Sequence, residues 1–260
     1  MHSGIGGLQA SLESGWRSGL STLMDAGFGS WWNTKNWWIH SLIWIVVING
    51  SIAPAVWGEA PDDVSVFTIY GVMTMFAAIA VAILMQDEIV GEKLNGTAAW
   101  VLSKPVSRSA FMLSKLVPNA VGVVATMIAI PSAVFFVQLA LANIDVSADL
   151  FLLGAAVAAL NLMFYLTLTL MLGTLFNSAG SVIAIPLAFA FGQQLLGGIP
   201  GLISFLPWAL VVPVDGSDTS VVSSVMTGQS ITTPGAIATT ATACAVFTIV
   251  AFRTWNRTEL

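Results

Sequence analysis

Residues 64–85 read VSVFTIYGVMTMFAAIAVAILM, with Asp62-Asp63 just before them and Asp87-Glu88 just after. No charge interrupts the run, and its length matches one hydrocarbon crossing by a helix, about 20 residues. The rest of the chain repeats the pattern. Of 260 residues only 8% are charged and 57% are hydrophobic, and the mean hydropathy is +0.88. A soluble domain carries about 25% charged residues. This chain has too few to cover a water-facing surface, so its outer surface is expected to face lipid.

Outward from that run, comparable stretches occur at 37–57, 116–142, 150–176, 178–196 and 234–252, making six expected spans. The runs are long and continuous, unlike the weak ten-residue alternation of a membrane barrel. Arg17 and Lys35 precede the first run, Lys93, Lys104, Arg108 and Lys115 lie between the second and third, and Arg253 and Arg257 follow the sixth. With six spans all eight basic residues fall on one side, which the positive-inside rule makes cytoplasmic, together with both termini. Glu59, Asp62, Asp63, Asp145, Asp149, Asp215 and Asp218 fall on the other side. These seven carboxylates read as solvated loops, with cation attraction as the alternative. The first residues hold no basic stretch followed by a short apolar core, so no cleavable leader is expected.

Before the first span, Leu8, Leu12, Trp16, Leu20, Leu23 and Phe28 share one helical face, which suggests an amphipathic helix on the inner leaflet within 1–36. Gly15 and Gly19 weaken it and leave a frayed tail as the alternative. Trp31, Trp32, Trp37, Trp38 and Trp255 suit the inner membrane boundary, and Trp57 and Trp208 the outer one. Residues 197–214 are apolar but broken by Gly and Pro. They are expected to re-enter the membrane from the outer side, within an external segment at 197–233.

Several chemistries lack their residues. No Gly-Lys dipeptide occurs, so the phosphate-binding GxxxxGK[ST] loop is absent. The two histidines, His2 and His40, lack metal-ligand spacing, no later span carries a histidine to activate a serine, and no catalytic or metal residue is assigned. Single Cys244 permits no internal disulfide. Between Trp38 and Phe252 every ionisable Asp, Glu, Lys or Arg sits in a loop or at a span end, which argues against an ion-coupled transporter. The polarity within the spans is neutral. Asn161, Tyr165 and Thr169 share a face of the fourth span, and Gln193 is an isolated amide. These four read either as interhelical hydrogen-bonding groups or as the lining of a translocation path. Pro131 and Pro186 are expected kink sites.

The polar stretch at 91–115, GEKLNGTAAWVLSKPVSRSAFMLSK, stands out from all this. Gly96 is expected to end or bend a helix leaving the membrane, Thr97 to cap a short helix, Pro105 to end it, and Ser107 to cap a helix starting at Arg108. The result is a helical hairpin with an apolar knob and a charged rim. Glu92-Lys93, Gly96-Thr97, Leu102-Ser103, Pro105-Val106-Ser107-Arg108, Phe111 and Lys115 resemble the corresponding segment of the ABC type-2 permease family. The family pattern has paired leucines, and Val101 replaces the first.

The resemblance implies an all-α integral membrane protein, a permease domain at 37–260 whose 86–115 segment is a cytoplasmic coupling element. Glu88, Glu92, Lys93, Gly96, Thr97, Trp100, Leu102, Ser103, Pro105, Val106, Ser107 and Arg108 are its expected coupling residues. Glu92 and Arg108 either pair across the hairpin or contact the ATPase. The implied complex has two separate ATPase subunits, which carry ATP and Mg, and a second permease, identical or related, in the plasma membrane. The chain itself would bind no cofactor and no nucleic acid and would not be an enzyme. The implied role is ATP-driven transport as an exporter; a membrane scaffold or assembly factor with this fold, and an intramembrane enzyme, are the alternatives.

Overall fold

A computed structural model describes residues 15–58, 62–199, 201–214 and 216–258, and among these there are helices and turns but no strand. Helix α1 is Leu20–Trp32, preceded by a 3-10 turn at Gly15–Arg17. Helix α2, Asn36–Val56, follows, then α3, Asp63–Met85. Two short helices come next, α4 at Val90–Leu94 and α5 at Thr97–Leu102. The long α6 is Arg108–Leu141, and α7 is Ala148–Leu175. After α8, Ala179–Gly192, with its 3-10 extension Gln193–Gly198, come short α9, Trp208–Val211, and α10, Val221–Met226. Helix α11, Pro234–Arg257, is last.

Six helical segments are long and apolar enough to cross a membrane: Asn36–Val56, Asp63–Leu94, Arg108–Leu141, Ala148–Leu175, Ala179–Leu196 and Pro234–Arg257. All six correspond to expected spans. The third differs most, because the apolar run at 116–142 is continued backwards by a polar first turn whose amide Ala110 N–H bonds the Ser107 hydroxyl at 3.0 Å. The segment 1–14, with Leu8 and Leu12 of the expected amphipathic face, lies outside the described residues, as do Glu59 and Asp215.

Helix α7 is the axis of the bundle. It packs against α3 and α11 along much of its length, and against α6, α8, α9 and α10. Its second half is nearly all buried, from Asn161 through Thr174. With helices on all sides it needs no polar face.

Two spans contain wide turns. A π turn at Ile45–Asn49 interrupts α2, and another at Val124–Ala129 interrupts α6 just before Pro131. Proline has no N–H to give and its ring crowds the carbonyl four residues back. Widening the preceding turn relieves that crowding without breaking the helix. The buried Asn49 amide donates to the Pro131 carbonyl at 3.1 Å, and the next residue, Ser132, shares a 2.7 Å hydrogen bond with the Tyr70 hydroxyl of α3. Two neighbouring spans are thus tied to α6 at the depth where its ladder is disturbed.

Between α8 and α11 much of the described chain packs back on the bundle. Ala209, Leu210, Val211 and Val222 are fully buried, and α9 and α10 pack on α3 and α7. Ser220 and Ser223 form a reciprocal cap at the start of α10.

Helix α1 lies on the first half of α6. Its Trp31 indole donates to the Asn119 side-chain oxygen at 2.8 Å, and the Asn119 amide donates to the Lys115 carbonyl at 2.8 Å. Of the indoles expected at the membrane boundary, Trp31, Trp208 and Trp255 are buried within the chain. Trp16, Trp32, Trp37, Trp38 and Trp57 remain exposed. Gly122 lets α1 approach, since a Cβ there would lie 2.3 Å from the Trp31 ring. Gly122→Val is expected to lift α1 off α6 and cost about 1–3 kcal/mol, the usual penalty of overpacking. Thermal unfolding in detergent measures the loss, and Trp31→Ala in the same chain should recover part of it.

Candidate functional site

The ends of α3, α7 and α11 meet the start of α6 at the end of the bundle that carries the basic residues. After α3, a turn leads into α4, whose last residue Leu94 is 67% exposed. Gly96 then takes φ +70°, a left-handed conformation that glycine adopts without steric cost, and serves as the N-cap of α5. Thr97 is therefore the first helical residue and not the cap, which corrects the expectation from sequence. Within α5, Ala98 is fully buried while Trp100 is 63% exposed. The Lys104 ammonium lies over the Trp100 ring, 4.4 Å from its centroid. Ser103 closes the helix with its hydroxyl on the Trp100 carbonyl at 2.7 Å. Val101 and Leu102 are half-buried and pack on the core.

The segment Pro105–Ser107 turns inward and is held by residues 16–19. The Ser18 hydroxyl donates to the Pro105 carbonyl, the Ser107 amide donates to the Ser18 carbonyl at 3.0 Å, and the Ser107 hydroxyl donates to the Trp16 carbonyl. Gly19, at φ +74°, sits so close to Val106 that a Cβ would meet its methyl at 2.7 Å.

The charged groups bind elsewhere than expected. Glu92 does not reach Arg108. Its carboxylate pairs with the Lys115 ammonium at 2.7 Å, and Glu88 meets the same ammonium at 3.4 Å. Arg108 points to the end of α11, donating to the carbonyls of Trp255, at 3.0 Å, and Thr258, and approaching that of Asn256 at 3.5 Å. Lys93 donates to the Phe176 carbonyl at 2.8 Å and the Thr174 carbonyl at 3.4 Å, at the end of α7. The last carbonyls of a helix lack intrahelical donors and carry the negative end of its dipole, so a cation suits them. One turn along α6, Phe111 stacks on the fully buried Trp255 ring at 4.9 Å and 11°.

Arg108, Phe111 and Lys115 thus share one face of α6 at helical spacing, which Asn119 continues one turn on, where it meets Trp31 of α1. Phe111 and Lys115 carry part of the family resemblance but were not expected to hold the site together. Their spacing from Arg108 was the available signal. The acceptors at residues 174, 176 and 255–258 leave none, because every residue has a carbonyl.

The expected path residues are interior. Tyr165 and Gln193 are joined by a 3.1 Å hydrogen bond between α7 and the end of α8, and Gln193 also accepts from the Trp208 amide at 3.1 Å. That pair forms an interhelical link. The Asn161 amide nitrogen and the Thr169 hydroxyl, buried on the same face, have no hydrogen-bond partner among the described residues.

At the opposite end two cavities of about 730 and 500 Å³ share Asp62 and Gln229, and Asp63, Asp145 and Asp218 add to their rims. The Ser65 hydroxyl and amide hold the Asp62 carboxyl below its ordinary range, so it is ionised at neutral pH.

Lys115 is four-fifths buried and lies between two carboxylates that are also partly buried. Removing it leaves two like charges with no counter-ion. Lys115→Met is expected to lower stability by about 1–3 kcal/mol, the cost of orphaned buried polar groups. The double variant with Glu92→Gln should be more stable than the single one, and the difference in unfolding midpoints reads the coupling.

No curated protein matches the chain. A family match covers residues 55–260, which takes in everything from the end of α2 through α11, the 86–115 segment included. By that match the chain belongs to the family described as "Protein of unknown function (DUF2705)".

Proposed function

We infer that this chain is the membrane-spanning subunit of an ATP-driven ABC transporter, an exporter, which couples to separate ATPase subunits through residues 86–115. One observation carries the reading: the exposed apolar knob of Leu94 and Trp100, with Lys104 over the indole, at the basic end of a six-span bundle. Leucine and tryptophan left two-thirds exposed on a hairpin beyond the spans favour a partner's apolar groove. The resemblance of the same segment to the ABC type-2 permeases supplies the kind of partner. A chain without a phosphate-binding loop of its own takes its energy from that partner, which holds the ATP and Mg.

In this reading the basic end is cytoplasmic, the membrane is the plasma membrane, and both chain ends lie inside. Helix α1 lies along the inner leaflet with exposed Trp16, Trp32, Trp37 and Trp38 at headgroup level, and the α9–α10 segment enters from the outside without crossing. Two ATPase subunits and a second permease, identical or related, complete the assembly. The Asn161–Thr169 face, with hydrogen-bonding groups unmet in this conformation, is the part of the interior suited to a substrate path in another.

The test is capture of the ATPase encoded nearest to this chain, in lipid, followed by its ATP turnover. Wild type is expected to bind, and Trp100→Ala to weaken binding about 30-fold, the effect of losing a 2 kcal/mol contact. Failure of wild type to bind any such ATPase would overturn the transporter reading in favour of a membrane scaffold.

A further inference from the structure

We propose that Arg108 is an internal strut that fastens the last span to the coupling hairpin, and that the ATPase does not touch it. The case starts from its position. Arg108 is the first residue of α6, capped by Ser107. A cation in the first turn opposes the dipole of its own helix. A second helix end of opposite sign offsets that, and the guanidinium supplies donors to the final carbonyls of α11. Arg108 is therefore spent inside the chain, whereas Lys104, four residues earlier, remains over the exposed Trp100.

The grip matters because it holds α11 end-on, whereas the packing of α11 on α7 runs along its side. Of the six spans α11 has the smallest buried share, 17% of its most apolar stretch. Its buried residues are Ala236 and Thr240 near the start and Ala251 and Trp255 near the end. Trp255 stacks on Phe111 and its carbonyl accepts from Arg108. Both contacts come from the first turn of α6, three residues apart. A displacement of the 105–108 segment therefore moves the end of α11 with it. Lys93 makes the matching connection from α4 to the end of α7. The hairpin divides into an outward face, Leu94, Trp100 and Lys104, and an inward set, Lys93, Ser107 and Arg108. The clasp is a property of the chain alone; its part in coupling rests on the transporter reading above.

The experiment places spin labels at Ser103→Cys and Asn256→Cys in a Cys244→Ala background, in the full chain in nanodiscs, and reads their distance distribution. A single narrow peak is expected, broadened in Arg108→Ala and largely narrowed again in Arg108→Lys, which returns a cation to the same carbonyls. Circular dichroism of each variant verifies the helices, and Phe111→Leu, which keeps the guanidinium, should broaden the peak less than Arg108→Ala. An unchanged distribution in Arg108→Ala would overturn the strut. Capture of the ATPase by the same variants is the second arm. Affinity within threefold of wild type is expected for Arg108→Ala, against the large loss for Trp100→Ala. A loss comparable to that of Trp100→Ala would make Arg108 a partner contact and overturn the proposal. If wild type itself binds no ATPase, the transporter reading fails while the distance measurement still decides the clasp.

Discussion

Helix ends are where a membrane bundle has backbone carbonyls to spare, and here two of them are met by side chains from a distant loop. Inside hydrocarbon the backbone satisfies itself through its ladder. At the ends that ladder stops and four carbonyls are left over. Lys93 and Arg108 reach the ends of α7 and α11, so the loop that looks most detached in sequence is fastened to two spans. The start of α6 and the seat of Trp255 share that fastening, since Arg108 and Phe111 both lie in the first turn of α6.

Deeper in the bundle the same rule takes other forms. The ladder of α6 is disturbed at Pro131, and Asn49 and Tyr70 place hydrogen bonds at that level from two neighbouring spans. In membranes such bonds contribute on the order of 1 kcal/mol each, so their value is chiefly in fixing which turns face one another. Gln193 acts similarly at the far end, where one side chain addresses α7 and the amide of α9. Polar residues are few, and Asn49, Tyr70 and Gln193 each fix a junction.

The six spans were legible because each depends on a local property, a run long enough to cross with no charge to desolvate. The cap at Ser107 and the bend at Gly96 were legible for the same reason. What escaped the sequence was partner choice. Glu92 was expected to meet Arg108 or a partner, and only packing selects Lys115, two turns further along α6. Arg108 escaped more completely, because its acceptors are main-chain atoms. Tryptophan burial was illegible for a different reason. An indole suits the membrane boundary and an interior site equally, so composition could not separate buried Trp255 from exposed Trp38.

The distance in sequence between Arg108 and its acceptors has a consequence for how the protein is made. The Thr258 carbonyl is synthesised 150 residues after the guanidinium that binds it. At about 5–20 residues per second, Arg108 emerges roughly 8–30 s before its partner exists. During that interval the first turn of α6 holds an unneutralised cation against its own dipole, at the time when its membrane orientation is decided. In the orientation proposed above, the charge that later joins two spans is free, while the ribosome is still at work, to help hold the hairpin on the cytoplasmic side.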